Sequence, residues 1–217
     1  MRALILSVSI LALGLSACGK KPDLALSDDP VTRAAQCGVV ATAGARLAQT
    51  DVRAPVPFET RARVLHYALL TGTTAPGFDA DKAGAVLKAL PAAEPAITGG
   101  KWQPLGTACD AAYPETTAPA RLPASSLDAQ LGCSLLADYV ETALRTQEST
   151  YTKDLDPIHK MRLGLDNSIG AKLARAGKKD GEDQKASRDK AMNAIAHAGA
   201  ASEVLAACVK RYPPAES

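Results

Sequence analysis

The chain has 217 residues, of which 47% are hydrophobic and 4% aromatic, and its formal net charge is +2. This length and composition suit one large or two small domains and exclude a chain that is disordered throughout. The net charge is not strongly positive, as it is in nucleic-acid-binding proteins, so we expect no nucleic-acid partner. Abundant alanine and few β-branched runs predict an all-α fold.

The first 17 residues have the pattern of a signal peptide. One positive residue, Arg2, precedes an apolar run from Ala3 to Leu15, which is shorter than the ~20 residues of a membrane-spanning helix. The run ends in the residues Leu-Ser-Ala-Cys, with the cysteine at position 18. Residues 1–19 therefore resemble the lipobox-type signal peptide of bacterial lipoproteins.

This resemblance implies that Cys18 is the lipid attachment site and the first residue of the mature chain. The cysteine would carry a thioether-linked diacylglycerol and an N-acyl group such as palmitate, which together give stable membrane anchoring. The chain would then lie in the bacterial cell envelope and face the periplasm. Gly19 stands where aspartate favours the inner membrane in enterobacteria, so we expect the outer membrane. The alternative is an ordinary signal peptide cleaved near Ala17, which would leave Cys18 as an unpaired fifth cysteine.

Residues 18–30 are predicted to form the lipidated cysteine and a flexible tether. From Gly19 to Pro30 the sequence is polar, contains two prolines and shows no hydrophobic period. Fully extended, this segment would span at most ~40 Å. Such a tether would hold the body of the protein away from the bilayer.

Residues 31–114 are predicted to form a first helical unit. Its helices are expected at about residues 28–49, 58–71, 79–90 and 102–113, where apolar residues recur at helical spacing. Pro91 and Pro95 are expected to end the third helix. His66 lies beside the apolar stripe of the second helix. A lone histidine without other ligands at metal spacing is expected at the surface or at a boundary, with a ligand role as the alternative.

A linker and a second helical unit are predicted to follow at residues 115–124 and 125–213, with a tail at 214–217. Ser125 or Ser126 is expected to cap a long helix that ends near residue 147. The pair Asp156–Pro157 is expected to open the second helix of this unit, and Ser202 its last helix. The charged residues 172–190 have mixed signs, which indicates a solvated loop or an exposed helix face.

A repeated cysteine pattern connects the two units. The motif Cys-x-x-x-Tyr-Pro occurs at residues 109–114 and again at 208–213, and the preceding cysteines lie 72 and 75 residues upstream. The pattern predicts two tandem, similar bundles of about four helices that arose by internal duplication. Because the first and fourth helices of such a bundle have adjacent ends, we expect one disulfide in each unit, namely Cys37–Cys109 and Cys133–Cys208.

The sequence contains no motif that predicts catalysis. It lacks C-x-x-C pairs, H-E-x-x-H, G-x-S-x-G and phosphate-binding glycine loops, so no catalytic residue, metal ligand or cofactor is predicted. His66 and His159 both fall in the second helix of their units. Their matching positions have two possible explanations. The two histidines could share a role in a pseudo-symmetric structure, or the match could be a remnant of the duplication.

Three classes of function remain. A non-catalytic interaction or scaffold module that binds another envelope protein is favoured by the anchor, the disulfides and the lack of catalytic motifs. A carrier of an apolar ligand or lipid in a groove between the units is the first alternative. An enzyme with a site made of dispersed residues is the second, and perturbed titratable residues converging in one cleft would favour it. A deep apolar groove would favour the carrier, and a flat apolar patch the interaction module.

Overall fold

A computed structural model describes residues 23–213, except residues 52, 75–76 and 179. This part of the chain is all-α, with two very short antiparallel strands, β1 (Thr73–Thr74) and β2 (Gly77–Phe78). The helices are α1 (Pro30–Ala48), α2 (Phe58–Gly72), α3 (Ala80–Thr98), α4 (Leu105–Ala112), α5 (Ser126–Leu144), α6 (Thr152–Arg175), α7 (Gly181–Ala196) and α8 (Ala201–Arg211).

Side-chain caps begin the first and third helices of each unit. In each case the side chain of the cap residue accepts a hydrogen bond from the backbone N–H three residues later, which satisfies one of the free donors of the first turn. The caps are Asp29 in α1, Asp79 in α3, Ser125 in α5 and Asp180 in α7. Short polar side chains in the sequence therefore set these four helix starts.

Two helices differ in extent from the sequence-based prediction. Helix α3 continues through Pro91 and Pro95 to Thr98, because both prolines are exposed and Ile97, which is buried, holds the last turn in the core. Carbonyl groups that lose their N–H partner on an exposed face can bind water instead. Helix α6 begins at Thr152, ahead of Asp156–Pro157, because buried Leu155 fixes its first turn.

The helices pack into two cores that share α2. The first core combines α1, α3 and α4 with Tyr67 and Ala68 of α2. The second combines α5, α6, α7 and α8 with the opposite face of α2, which contributes Phe58, Ala62, Leu65 and Leu69. Helix α2 is therefore buried on two sides, and both units depend on it.

Each unit contains one disulfide between its first and fourth helices. Cys37 pairs with Cys109 at an S–S distance of 2.07 Å, and Cys133 pairs with Cys208 at 2.01 Å. These are the pairs expected from the spacing, and all four cysteines are buried. In both units the first helix packs against the second and third, but α2 also packs on α3, whereas α6 packs on α8. The internal duplication stays a prediction.

The segment before α1 lies against the first unit. Asp23 forms an isolated parallel β-bridge with Lys101, and Lys101 Nζ lies 2.9 Å from Asp23 Oδ1. Leu24 fills the space beside Gly100, where an added Cβ would come within 2.6 Å of the leucine side chain. Of the predicted tether, residues 23–29 thus run along the folded body, and residues 18–22 lie outside the described residues.

The segment between the units is also packed. After the 3-10 helix Pro114–Thr117 the backbone is extended, and Ala118 O accepts from Ala200 N at 2.8 Å while Arg121 N donates to Ala198 O. Gly199 has a φ of +118°, and a Cβ there would lie 2.5 Å from the carbonyl oxygen of Pro119. Glycine at this turn therefore allows the linker to contact the α7–α8 connection.

Candidate functional site

A polar cleft between α5 and α6 is lined by several charged side chains of the second unit. Its walls are Asp138, Glu141, Thr142, Arg145, Glu148, Thr152, Leu155, Asp156, His159 and Arg162, and its volume is about 240 Å³. Four of these residues are carboxylates and two are guanidinium groups, so the cleft is acidic when His159 is neutral. Its wall residues all belong to the second unit.

Arg162 is the centre of the cleft. Its Nε lies 3.2 Å from both carboxylate oxygens of Glu141 and its NH2 donates to Glu141 Oε2 at 3.1 Å. Its NH1 donates to Asp166 at 3.0 Å and lies 3.8 Å from Asp138. The hydrogen bonds to Glu141 raise the pKa of Arg162 above its usual value. The side chains of Arg162 and Glu141 are only 18% and 17% exposed, so this pair joins the two helices under the floor of the cleft.

His159 makes the other contact to Glu141. Its Nδ1 lies 3.0 Å from Glu141 Oε2, and 49% of its side chain is exposed. A carboxylate that accepts from Nδ1–H leaves Nε2 as the proton acceptor of a neutral imidazole, which is the tautomer used by general bases. This chemistry alone does not define an active site, because none of the described contacts brings a nucleophile to His159.

The cleft continues into a polar seam along α5 and α6. Ser134, which is buried, donates to Asp166 Oδ1, and Lys172 contacts both Gln130 and Ser168. These contacts fix the register of the two helices. Glu141, Arg162 and Asp166 were not predicted as a group from the sequence. The Arg162–Asp166 spacing of four residues is a local signal for an ion pair, but the partner on α5 is set only by the fold.

His66 is buried between the two units, and 1% of its surface is exposed. Its Nε2 lies 2.7 Å from the carbonyl oxygen of Ala196, so Nε2–H donates, and Nδ1 is buried and has no hydrogen-bond partner among the described residues. Burial lowers the pKa of His66. Nearby, His197 Nδ1 lies 3.0 Å from Glu115 Oε1. The expected surface or boundary position of His66 is therefore wrong, because packing of α2 against the second unit buries its ring.

His66 and His159 therefore have different surroundings, despite their equivalent places in the sequence pattern. One is buried against a backbone carbonyl, and the other lines an open cleft beside a carboxylate. Within the described residues, no group of three or more His, Cys, Asp or Glu side chains is arranged to hold a metal ion.

An apolar groove lies where α2 of the first unit meets α6 and α8 of the second. Phe58, Pro157, Ile158, Leu205, Ala206 and Val209 form its apolar surface, and its volume is about 400 Å³. Glu59, Lys153, Asp154 and Lys210 lie around it. The groove is within the size range of small-molecule sites and lies between the two helical units.

Exposed large hydrophobic side chains are few. In the described part of the chain they are Leu47 on α1 and Leu163 on α6, at 70% and 46% exposure, and they belong to different units. Among the helices described, none is by itself long and apolar enough to cross a bilayer, and α7 with α8 meets that test only as a pair bent by 115°. Cys18 lies outside the described residues.

Comparison of the chain with protein-family models, with curated proteins and with solved structures gives no match.

Proposed function

We propose that the chain is a bacterial lipoprotein whose helical body is a non-catalytic interaction module of the cell envelope. Acyl chains on Cys18 hold it at the outer membrane, on the periplasmic side. The observation that carries this proposal is the sequence Leu-Ser-Ala-Cys directly after an apolar run of signal-peptide length.

The cysteine inventory supports this location. The chain has five cysteines, and four of them form the two buried disulfides. Structural disulfides persist in oxidising compartments such as the periplasm. The fifth cysteine is Cys18, whose thiol is consumed when it is lipidated.

The acidic cleft between α5 and α6 is the docking site in this proposal. Arg162 and Glu141 neutralise each other, whereas Asp138 is 64% exposed. Asp156 is 52% exposed and pairs with Lys160 of its own helix at 2.7 Å. The partner is therefore an envelope protein that presents lysine or arginine side chains. Exposed charges of this kind act mainly on the rate of association and on specificity.

Crosslinking of the anchored protein in its host, followed by mass spectrometry, tests this proposal. Asp138→Lys should reduce recovery of the partner, and Glu94→Lys, an exposed substitution on α3, should not. Higher salt should weaken the complex, because rim charges are screened. Equal recovery from both variants would reject the cleft as the docking site. Membrane retention that survives Cys18→Ser would reject the anchor.

A lipid or apolar-ligand carrier is the second candidate function, and the groove between α2, α6 and α8 favours it. Ala206 is an exposed residue on the wall of this groove. Mass spectrometry of the purified protein should then detect a bound lipid that is lost in Ala206→Arg. The matched control is Ala174→Arg on the exposed side of α6, which should keep the lipid. An empty groove in the native protein would reject the carrier.

A further inference from the structure

The N-terminal segment enters the folded body at a defined place. Asp23 is held by the bridge and the ion pair to Lys101, and Leu24 and Leu26 pack against the first core. The chain between Asp23 and Cys18 spans at most ~18 Å when fully extended. This is less than half of the ~40 Å that a free tether up to Pro30 would allow.

Trp102 and the C-terminal part of α1 lie next to this entry point. Trp102 follows Lys101 directly and lines a groove together with Gly44 and Ala45 of α1. Trp102 is partly buried against the first core, and Leu47, which is 70% exposed, lies in the last turn of α1. Tryptophan prefers the boundary between hydrocarbon and water, because its ring is apolar and its N–H needs a polar partner.

We propose that this end of the first unit, formed by Lys101, Trp102 and Leu47, is a membrane-facing surface whose partner is the phospholipid bilayer. The inference rests on lipidation of Cys18 in the proposed function. Acyl chains at Cys18 bring Asp23 within ~18 Å of the bilayer surface, and the contact between Asp23 and Lys101 carries this constraint to Trp102.

The charges near the entry point suit a phospholipid surface. Lys20 and Lys21 precede Asp23 in the sequence, and Lys101 lies beside it. Basic residues near an anionic membrane are attracted to its headgroups, and Asp23 offsets part of this attraction. The short connection between Cys18 and Asp23 is the main restraint on how the first unit is oriented at the bilayer. Contacts of Trp102, Leu47 and the lysines with lipid strengthen this orientation.

Energy transfer from tryptophan to dansyl-labelled headgroups tests the orientation. Trp102 is the single tryptophan of the chain, so the mature lipidated protein needs no other donor. It is reconstituted into phospholipid vesicles and separated from unbound protein by flotation. The comparison is the double variant W102F/L163W, which moves the donor to an exposed position on α6 of the second unit. A third sample carries a twelve-residue Gly-Ser insertion between Lys21 and Pro22.

We expect higher transfer from Trp102 than from the donor on α6, and a loss of transfer from Trp102 when the insertion lengthens the connection. Protein that floats with the vesicles but shows equal transfer from both donor positions would overturn the membrane-facing surface and leave the anchor intact. Energy transfer from Trp102 that is unchanged by the insertion would show that the short connection between Cys18 and Asp23 does not orient the protein. Protein that does not float would overturn the anchor and this inference together.

Discussion

His66 shows how one buried residue differs from its sequence-based interpretation. Its ring lies between the units and donates Nε2–H to the carbonyl oxygen of Ala196, while Nδ1 meets no hydrogen-bond partner in the part of the chain that the structure describes. Glu115, His197 and Arg63 are the charged or titratable groups that act on it. Desolvation is the largest influence, and it lowers the pKa of His66 because a buried imidazolium has lost its hydration.

Acidification should therefore destabilise the protein through His66. Below the ordinary histidine pKa of about 6.5, the unfolded chain binds a proton at this position while the folded chain does not. The free energy of unfolding should fall as the pH drops through this range. Urea unfolding at about pH 7.5 and pH 5.5 measures the change.

The variant His66→Gln keeps an N–H donor for Ala196 and removes the titrating group, so it should lose part of this pH dependence. His159→Gln, at an exposed position, is the control for replacing a histidine. An equal pH dependence in the wild type and in His66→Gln would show that other groups cause it.

At the scale of elements, α5 and α6 are held together by a polar seam beside their apolar contacts. Arg162 reaches Glu141 on α5 and Asp166 on its own helix, and Ser134 of α5 contacts Asp166 as well. Each acceptor has a donor in this arrangement. The seam therefore fixes the relative position of the two helices more strictly than apolar packing does.

Replacement of Arg162 by methionine should break this seam. The change leaves Glu141 and Asp166 without their main donor in a partly buried position, and the free energy of unfolding should fall by about 2 kcal/mol. Lys160→Met removes one partner of the exposed pair with Asp156 and should cost about 0.5 kcal/mol or less. Urea unfolding curves of both variants provide the comparison, and similar losses would contradict the structural role of the seam.

At the scale of the whole molecule, α2 makes one folding unit out of two helical units. Tyr67 and Ala68 belong to the first core, and Leu65 and Leu69 to the second. Phe58 of α2 also contacts Tyr151, with ring centroids 6.1 Å apart, and Tyr151 donates a hydrogen bond to Val56 O at 2.7 Å. Loss of either core would expose one face of α2.

We therefore expect a single cooperative unfolding transition. Ile169→Ala, in the second core, should lower the free energy of unfolding by about 2–5 kcal/mol. The unfolding midpoint measured by Trp102 fluorescence, which reports on the first unit, should shift as much as the midpoint measured by circular dichroism, which reports on both units. Leu163→Ala, on the exposed side of the same helix, should have little effect. A Trp102 transition that ignores Ile169→Ala would show that the units unfold independently.

Features that depend on neighbouring residues or on regular spacing can be predicted directly from the sequence. The capping residues Asp29, Asp79 and Ser125 predict helix starts, since the groups that satisfy the first turn are three residues away. The apolar period predicts the all-α fold, and the repeated cysteine spacing predicts both disulfides. The signal for Cys18 is also local, and its lipidation stays a prediction.

The tertiary structure alone decides which distant residues meet. His66 is 130 residues from Ala196, and Asp23 is 78 residues from Lys101, so no local pattern could place these pairs together. Burial of Ile97 likewise lets α3 continue past two prolines that by themselves favour an end. The acidic cleft, the shared helix α2 and the docked segment before α1 all depend on such contacts, because side chains far apart in the chain become neighbours only after the cores have packed.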